Sequence, residues 1–295
     1  IGLAIHNYHD SYKTFPSGYI TKTPCDTVGF SWPACILGEN GIYGWSALIL
    51  PFIEQAPLAD LLAVGRVTLD QALANATTRQ ALQEPLSSFQ CPSSPGPVLN
   101  DYRSPTNKYN FNVTDGSNTY QIARSNYIMV ANAWDSTTPA VRPSQYGPPH
   151  GVGFANSRIA FRDVTDGTSN TLLVGERSYV YKATYVVGGA NVLGFSGSNN
   201  VQSSSYGRKG NGLAALGITY NGINALVGGE HDVRGFSSNH VGGALFVFCD
   251  GSVHFISENI DYRKGTVSNP NHLRDIDTTF QRLAVRDDSQ PVGDF

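Results

Sequence analysis

The sequence predicts a chain of mixed helix and strand, rich in β-structure and loops, and three observations carry that reading. Apolar and aromatic residues recur at helical spacing near the start. A C-terminal run, "HVGGALFVFCDGSVHF", alternates as a hairpin does, and Gly 31, Tyr 15 and Phe 14 against a single Met favour strands joined by irregular segments. At 295 residues the chain is long enough to bury a substantial core, as one large domain or two small ones.

In "IGLAIHNYHDSYKTFPSGY" the residues Ile1, Ile5, Tyr8 and Tyr12 follow a helical period until Pro16 and Gly18 stop it, so a helix is expected over Ile1 to Lys13. His6 and His9 stand three apart on it and, lacking a third ligand, read as surface histidines. After a Gly, Pro and Cys-rich loop from Pro24 to Gly44, "YGWSALILPFIEQAPLADLL" predicts a buried helix interrupted at Pro51, with Trp45, Leu48 and Phe52 supplying core. A further helix is expected over Leu69 to Glu84, capped by Thr68 or Asp70 and broken by "CPSSPGP".

Residues 100 to 150 read as surface loops, with strand candidates at Tyr120 to Ala123 and Tyr127 to Ala131. Ile159 to Phe161 and Thr171 to Val174 look strand-like around a polar turn at Asp166-Gly167, and residues 188 to 217 read as a long inserted loop. In the C-terminal run, Asp250-Gly251 predicts a two-residue type I′ turn. That turn sets Phe248 opposite Val253, Phe246 opposite Phe255 and Leu245 opposite Ile256; both faces are then apolar and the hairpin an inner one.

A net charge of -3 with 15% charged residues excludes the basic patch that nucleic acid requires. Signatures of serine hydrolases, zinc proteases and nucleotide enzymes are missing, and no catalytic residue is assigned. His240 and Asp250 lie roughly 33 Å apart if the chain between them is extended, so the strand works against a catalytic pair and a structural role is expected for His240, Asp250 and Gly251. His240 is expected to bond to backbone or to a carboxylate from Glu258 to Asp261. In "DVTDGTSN", Asp163, Asp166, the Ser169 hydroxyl and Asn170 offer hard oxygens suited to Ca²⁺, while a plain turn with Thr168 or Ser169 capping amides accounts for the same residues. Glu176 and Glu230-His231-Asp232 are expected to face solvent.

Of the four cysteines, Cys25 and Cys35 are expected to close a local loop, with Cys91 and Cys249 either bridged or buried as thiols. Asn75-Ala76-Thr77 and Asn112-Val113-Thr114 are glycosylation sequons, and the start at Ile1 without Met suggests that an upstream segment has been removed or left out.

Several segments in order along the chain carry a resemblance: "IGLAIHNYHDSYKTFPSGY", "GWSALILPFIEQAPL", "CPSS", "SNYIMV", "FRDVTDGTSNTLLVGER" and "FSSNHVGGALFVFCDGSVHFISENID". Together they resemble the pilin-like proteins of planctomycete bacteria, which bear a large domain of unassigned function and a C-terminal H-x9-DG signature, matched here by His240 and Asp250-Gly251. The resemblance implies an α+β fold: the distal end of a pilin-like helix at 1–15, packed on an antiparallel sheet within a loop-rich head at 16–295. It also implies a non-enzymatic subunit, secreted and displayed at the cell surface or assembled with copies of itself or other pilin-like subunits into a filament. Membrane anchoring would then come only through an upstream helix. The alternative is a carbohydrate- or solute-binding module using loop aromatics such as Trp134, Tyr146 and Tyr206.

Overall fold

Alternation in one short strand organises the molecule. In Tyr127–Asn132 (β1), Ile128 and Val130 point into one hydrophobic cluster while Met129 and Ala131 point into another, so both faces of the sheet that contains it are covered. The structure, a computed structural model, describes residues 1–21, 41–104, 109–133, 149–196, 211–226, 228–229, 232–263, 276–293 and 295.

β1 is joined by Leu172–Glu176 (β2), Leu216–Ile218 (β3), Gly243–Phe248 (β4) and Val253–Ser257 (β5) in the order β3-β1-β2-β4-β5. The pairs β1/β2, β2/β4 and β4/β5 are antiparallel, and β3 runs parallel to β1. With its helices this makes a mixed α+β fold, as expected, although one parallel pair departs from a purely antiparallel sheet. One face packs Phe236, Phe246 and Phe280 together, the last from the short helix Thr279–Leu283. The other face lies under the N-terminal helical layer, where Trp45, Leu50, Leu62 and Leu73 are buried.

The first helix, α1, spans Gly2–Tyr12 and stops where Lys13 turns left-handed. Its N-terminal end sits on the hairpin turn: a Cβ on Gly2 would lie 3.0 Å from Gly251 O. The expectation of surface histidines fails for His9, and His6 is half-buried. His6 Nε2 donates to Cys249 O at 3.0 Å, and His9 is buried with its ring 4.0 Å from that of Phe161. Pro51 divides the next segment as expected, giving Trp45–Leu48 (α2), a 3-10 turn at Leu50–Ile53 and Ala56–Leu62 (α3), with Trp45 deep in the core and Phe52 half-buried.

The expected helix over Leu69 to Glu84 is instead two, Leu69–Ala74 (α4) and Ala76–Gln83 (α5). Asn75 breaks it, because its carboxamide oxygen accepts from Thr77 N and Thr78 N and so starts a new helix. At the start of α4, Gln71 Oε1 accepts from Thr68 N. Ile159 to Phe161 forms no strand; Phe161 instead opens a 3-10 turn through Asp163. The segment read as a loop from 188 carries Ala190–Asn191, paired with Arg124–Ser125, and Gly194–Ser196, paired with Gly41–Tyr43. Cys25, Cys35, Trp134, Tyr146 and Tyr206 lie outside the described residues. Cys91 and Cys249 are buried thiols.

The hairpin forms, one residue out of the expected register. Gly251 N donates to Phe248 O, Phe248 N donates to Ser252 O, and only Gly251 of the Asp-Gly pair has positive φ, at 85°. This is a type I turn followed by a glycine bulge. The bulge moves β5 so that Val247 faces Val253, Phe246 faces His254 and Leu245 faces Phe255. Nor is the hairpin internal. β5 is the sheet's edge strand, with Ile256 its one buried residue.

Candidate functional site

β2 ends with Glu176, whose pleat turns it to the opposite side from Arg177. Glu176 is buried, contrary to the expectation of a solvent-facing acid. One carboxylate oxygen, Oε2, accepts from Leu245 N on the neighbouring strand at 2.9 Å; the other, Oε1, lies 3.3 Å from His240 Nε2. The same His240 nitrogen is 3.6 Å from Cys91 Sγ. These three ligand atoms lie within 4.8 Å of one another, and among the described residues no other group of three His, Cys, Asp or Glu converges in this way.

Each member is placed by backbone bonds from a different part of the chain. Cys91 follows the 3-10 turn Ser87–Phe89, and its N–H donates to Asn126 Oδ1 at 3.0 Å while Ser93 Oγ lies 3.0 Å from the sulfur. Asn126 also donates to Ser94 Oγ and Arg177 O and accepts from Arg124, so one carboxamide joins its own segment to two others. His240 is set by pairing beside the end of β2: Ser237 N donates to Glu176 O, Ser178 N to Ser237 O, and His240 N to Ser238 Oγ.

The surroundings are polar and largely closed. Arg124 is buried close by, its guanidinium on Pro97 O and Asn126 Oδ1; burial lowers its pKa, and the Cys91 and Tyr179 groups oppose that shift. Burial likewise pushes the Tyr127 phenol up to about 12, with Cys91 and Glu176 adding to it. His240 keeps 35% of its side chain exposed, which makes it the open side of the site.

His240 and Asp250 stand at opposite ends of β4. The histidine bonds to Glu176 and not to the 258–261 stretch, and the Asp250 carboxylate accepts from Ser252 N and Oγ at the turn. In the other predicted site, Asp166 accepts Asp288 N and Ser289 N at 2.7 and 2.9 Å, Asp163 accepts Ala160 N, and Asn170 donates to Asp166 O. Ser169 lies in the 3-10 turn Thr168–Asn170. Both carboxylates therefore serve backbone amides, and Asp166 ties in the C-terminal segment. Asp232, also expected in solvent, is buried and accepts from Gly228 N and Gly229 N. The sequon at Asn112 is buried; that at Asn75 is exposed.

One family model, described as "Protein of unknown function (DUF1559)", matches residues 1–263, a range that includes the segments that meet around Cys91, namely "CPSS", "SNYIMV", "GER" and "SSNH". The chain belongs to the DUF1559 family. No curated protein and no solved structure matches it. In this DUF1559 chain, Cys91 and Glu176 are the residues that sequence reasoning missed as partners of His240. Their separation along the chain has no periodicity to betray them; the available signal was that "CPSS", "GER" and "SSNH" each carry one side chain able to bind a metal.

Proposed function

We propose that this protein is a non-enzymatic structural subunit, pilin-like in design, secreted and displayed at the cell surface or assembled there with copies of itself. The observation that supports this reading most is the sheet edge. β5 closes the sheet with Val253 and Phe255 exposed, and Leu245 of β4 continues the same apolar face. Native proteins usually blunt such an edge with charge, proline or a covering element. Here apolar side chains mark it as a place for another subunit. The N-terminal helix, seated on the turn of the same hairpin with Leu3 exposed, supports a design in which helix and edge face neighbouring copies. No helix among the described residues is long and apolar enough to cross a membrane. Electron microscopy of the protein at high concentration tests the proposal: filaments or ordered sheets are expected, and monomers throughout would refute it.

A further inference from the structure

We propose that Cys91 Sγ, a Glu176 carboxylate oxygen and His240 Nε2 bind a single divalent transition-metal ion of the zinc class. The inference is independent of the surface-subunit reading and rests on the way three groups share one nitrogen. A catalytic cysteine, histidine and carboxylate relay uses both ring nitrogens, one toward the sulfur and one toward the carboxylate. Here the sulfur and the carboxylate both approach Nε2, at 3.6 and 3.3 Å. A single N–H can serve only one of them, whereas a cation between the three satisfies all.

The distances fit that cation. Ligands bound tetrahedrally at about 2.3 Å for sulfur and about 2.0–2.1 Å for nitrogen and oxygen stand roughly 3.5 Å apart for S···N and roughly 3.3 Å for N···O. The donor set selects the metal class: thiolate and imidazole suit zinc, cobalt and their neighbours, while Ca²⁺ and Mg²⁺ prefer all-oxygen cages. Charge agrees as well. Thiolate and carboxylate together carry two negative charges in a mostly buried place, which a divalent ion neutralises.

The surrounding bonds hold the donors ready. Leu245 N fixes Glu176 through Oε2 and leaves Oε1 turned to His240, and Asn126 fixes the backbone of Cys91. The exposed side of His240 leaves the fourth position to water or a small ligand. Bound there, the ion would tie the loop before β1, the end of β2 and the approach to β4.

Full-length protein, freed of metal with a chelator and kept reduced, is titrated with Co²⁺ and followed by absorbance, then with Zn²⁺ and followed by thermal unfolding. One equivalent of Co²⁺ should give four-coordinate visible bands and a thiolate-to-cobalt charge-transfer band, and Zn²⁺ should raise the unfolding midpoint. Cys91→Ser should lose the charge-transfer band, and Glu176→Gln and His240→Gln should each weaken Co²⁺ binding about tenfold or more. Circular dichroism establishes that each variant is folded; if Cys91→Ser is not, the partly exposed His240→Gln decides by the same binding criterion. Absence of stoichiometric binding by the wild type overturns the site, as does a charge-transfer band that survives in folded Cys91→Ser, or binding unchanged by His240→Gln.

Discussion

Arg177 sits fully buried, and its guanidinium donates to the backbone carbonyls of Gly189, Leu213, Leu216 and Gly235. Burial pulls its pKa down to about 9, which measures how strongly the interior disfavours the charge. The planar fork makes this arrangement possible, because it reaches four carbonyls on three separate segments at once, where an ammonium group offers one point. Arg177→Lys would leave buried carbonyls unpaired, each worth roughly 1–3 kcal/mol, so a loss of about 3 kcal/mol or more is expected in urea unfolding. A loss below about 1 kcal/mol would mean that the clamp contributes little. Gly251 is the other single-residue constraint. Its φ of 85° suits glycine, and an added Cβ would stand 3.0 Å from His6 Nε2. Gly251→Val should therefore lower stability by roughly 1–3 kcal/mol from strain and displace His6 from Cys249 O as well. The His6 ring resonances should move; unmoved resonances with unchanged stability would contradict this.

At the level of elements, α1 is held by a histidine that must stay neutral. Burial lowers the His9 pKa from its usual 6.5, with His6 and Lys13 adding to the shift and Asp10 opposing it. His9 Nε2 also accepts from Phe161 N at 3.4 Å, which the protonated ring cannot do. Protons thus bind the undocked helix more tightly than the docked one. The His9 contribution is complete above about pH 6.5 and is lost as pH falls through the depressed value. Amide exchange in α1, corrected for intrinsic rates, should quicken relative to β1 between about pH 7.5 and about pH 5, and His9→Leu should remove that dependence. Equal quickening in the variant would assign it elsewhere. The helix itself was legible from the period of Ile1, Ile5, Tyr8 and Tyr12, although Ile5 alone of these is fully buried and Tyr12 is exposed, and so were β1 and β2 from their apolar runs. The partners of His6 and His9 were not, because Phe161 and Cys249 come from distant segments. The hairpin shows the same limit more finely. Asp250-Gly251 announced a turn, yet whether the glycine closes a two-residue loop or forms a bulge depends on the bonds of Thr168 O and Thr171 O to Asp250 N and Cys249 N, which belong to another loop. One residue of slip then exchanged the faces of β5. The Cys91 site was hidden for a related reason: it exists only where three separate segments are brought together by the pairing of β2 with its neighbours.

For the whole molecule, the consequence of that slip is an exposed apolar edge. The register sets Leu245 beside Phe255 and Val247 beside Val253 on the face that α1 covers at Val247, and past that cover Val253 and Phe255 are 58% and 47% exposed. Fully burying a side chain such as Val or Phe contributes roughly 1.5–3 kcal/mol, so even partial cover of this pair by a second copy would shift association by about tenfold or more. Because both side chains are about half exposed already, replacing them with lysine removes only part of their burial, which the lysine stem partly restores, and adds the charge that protects edge strands elsewhere. The double variant Val253→Lys/Phe255→Lys should therefore unfold within about 1.5 kcal/mol of the wild type. In light scattering over a concentration series, the wild type should gain mass where the variant stays monomeric, or the variant should need about ten times more protein to do the same. Identical association curves would move the contact surface elsewhere. A fall in variant stability well beyond about 1.5 kcal/mol would mean instead that Val253 and Phe255 are held within the chain itself, and the edge would no longer support assembly.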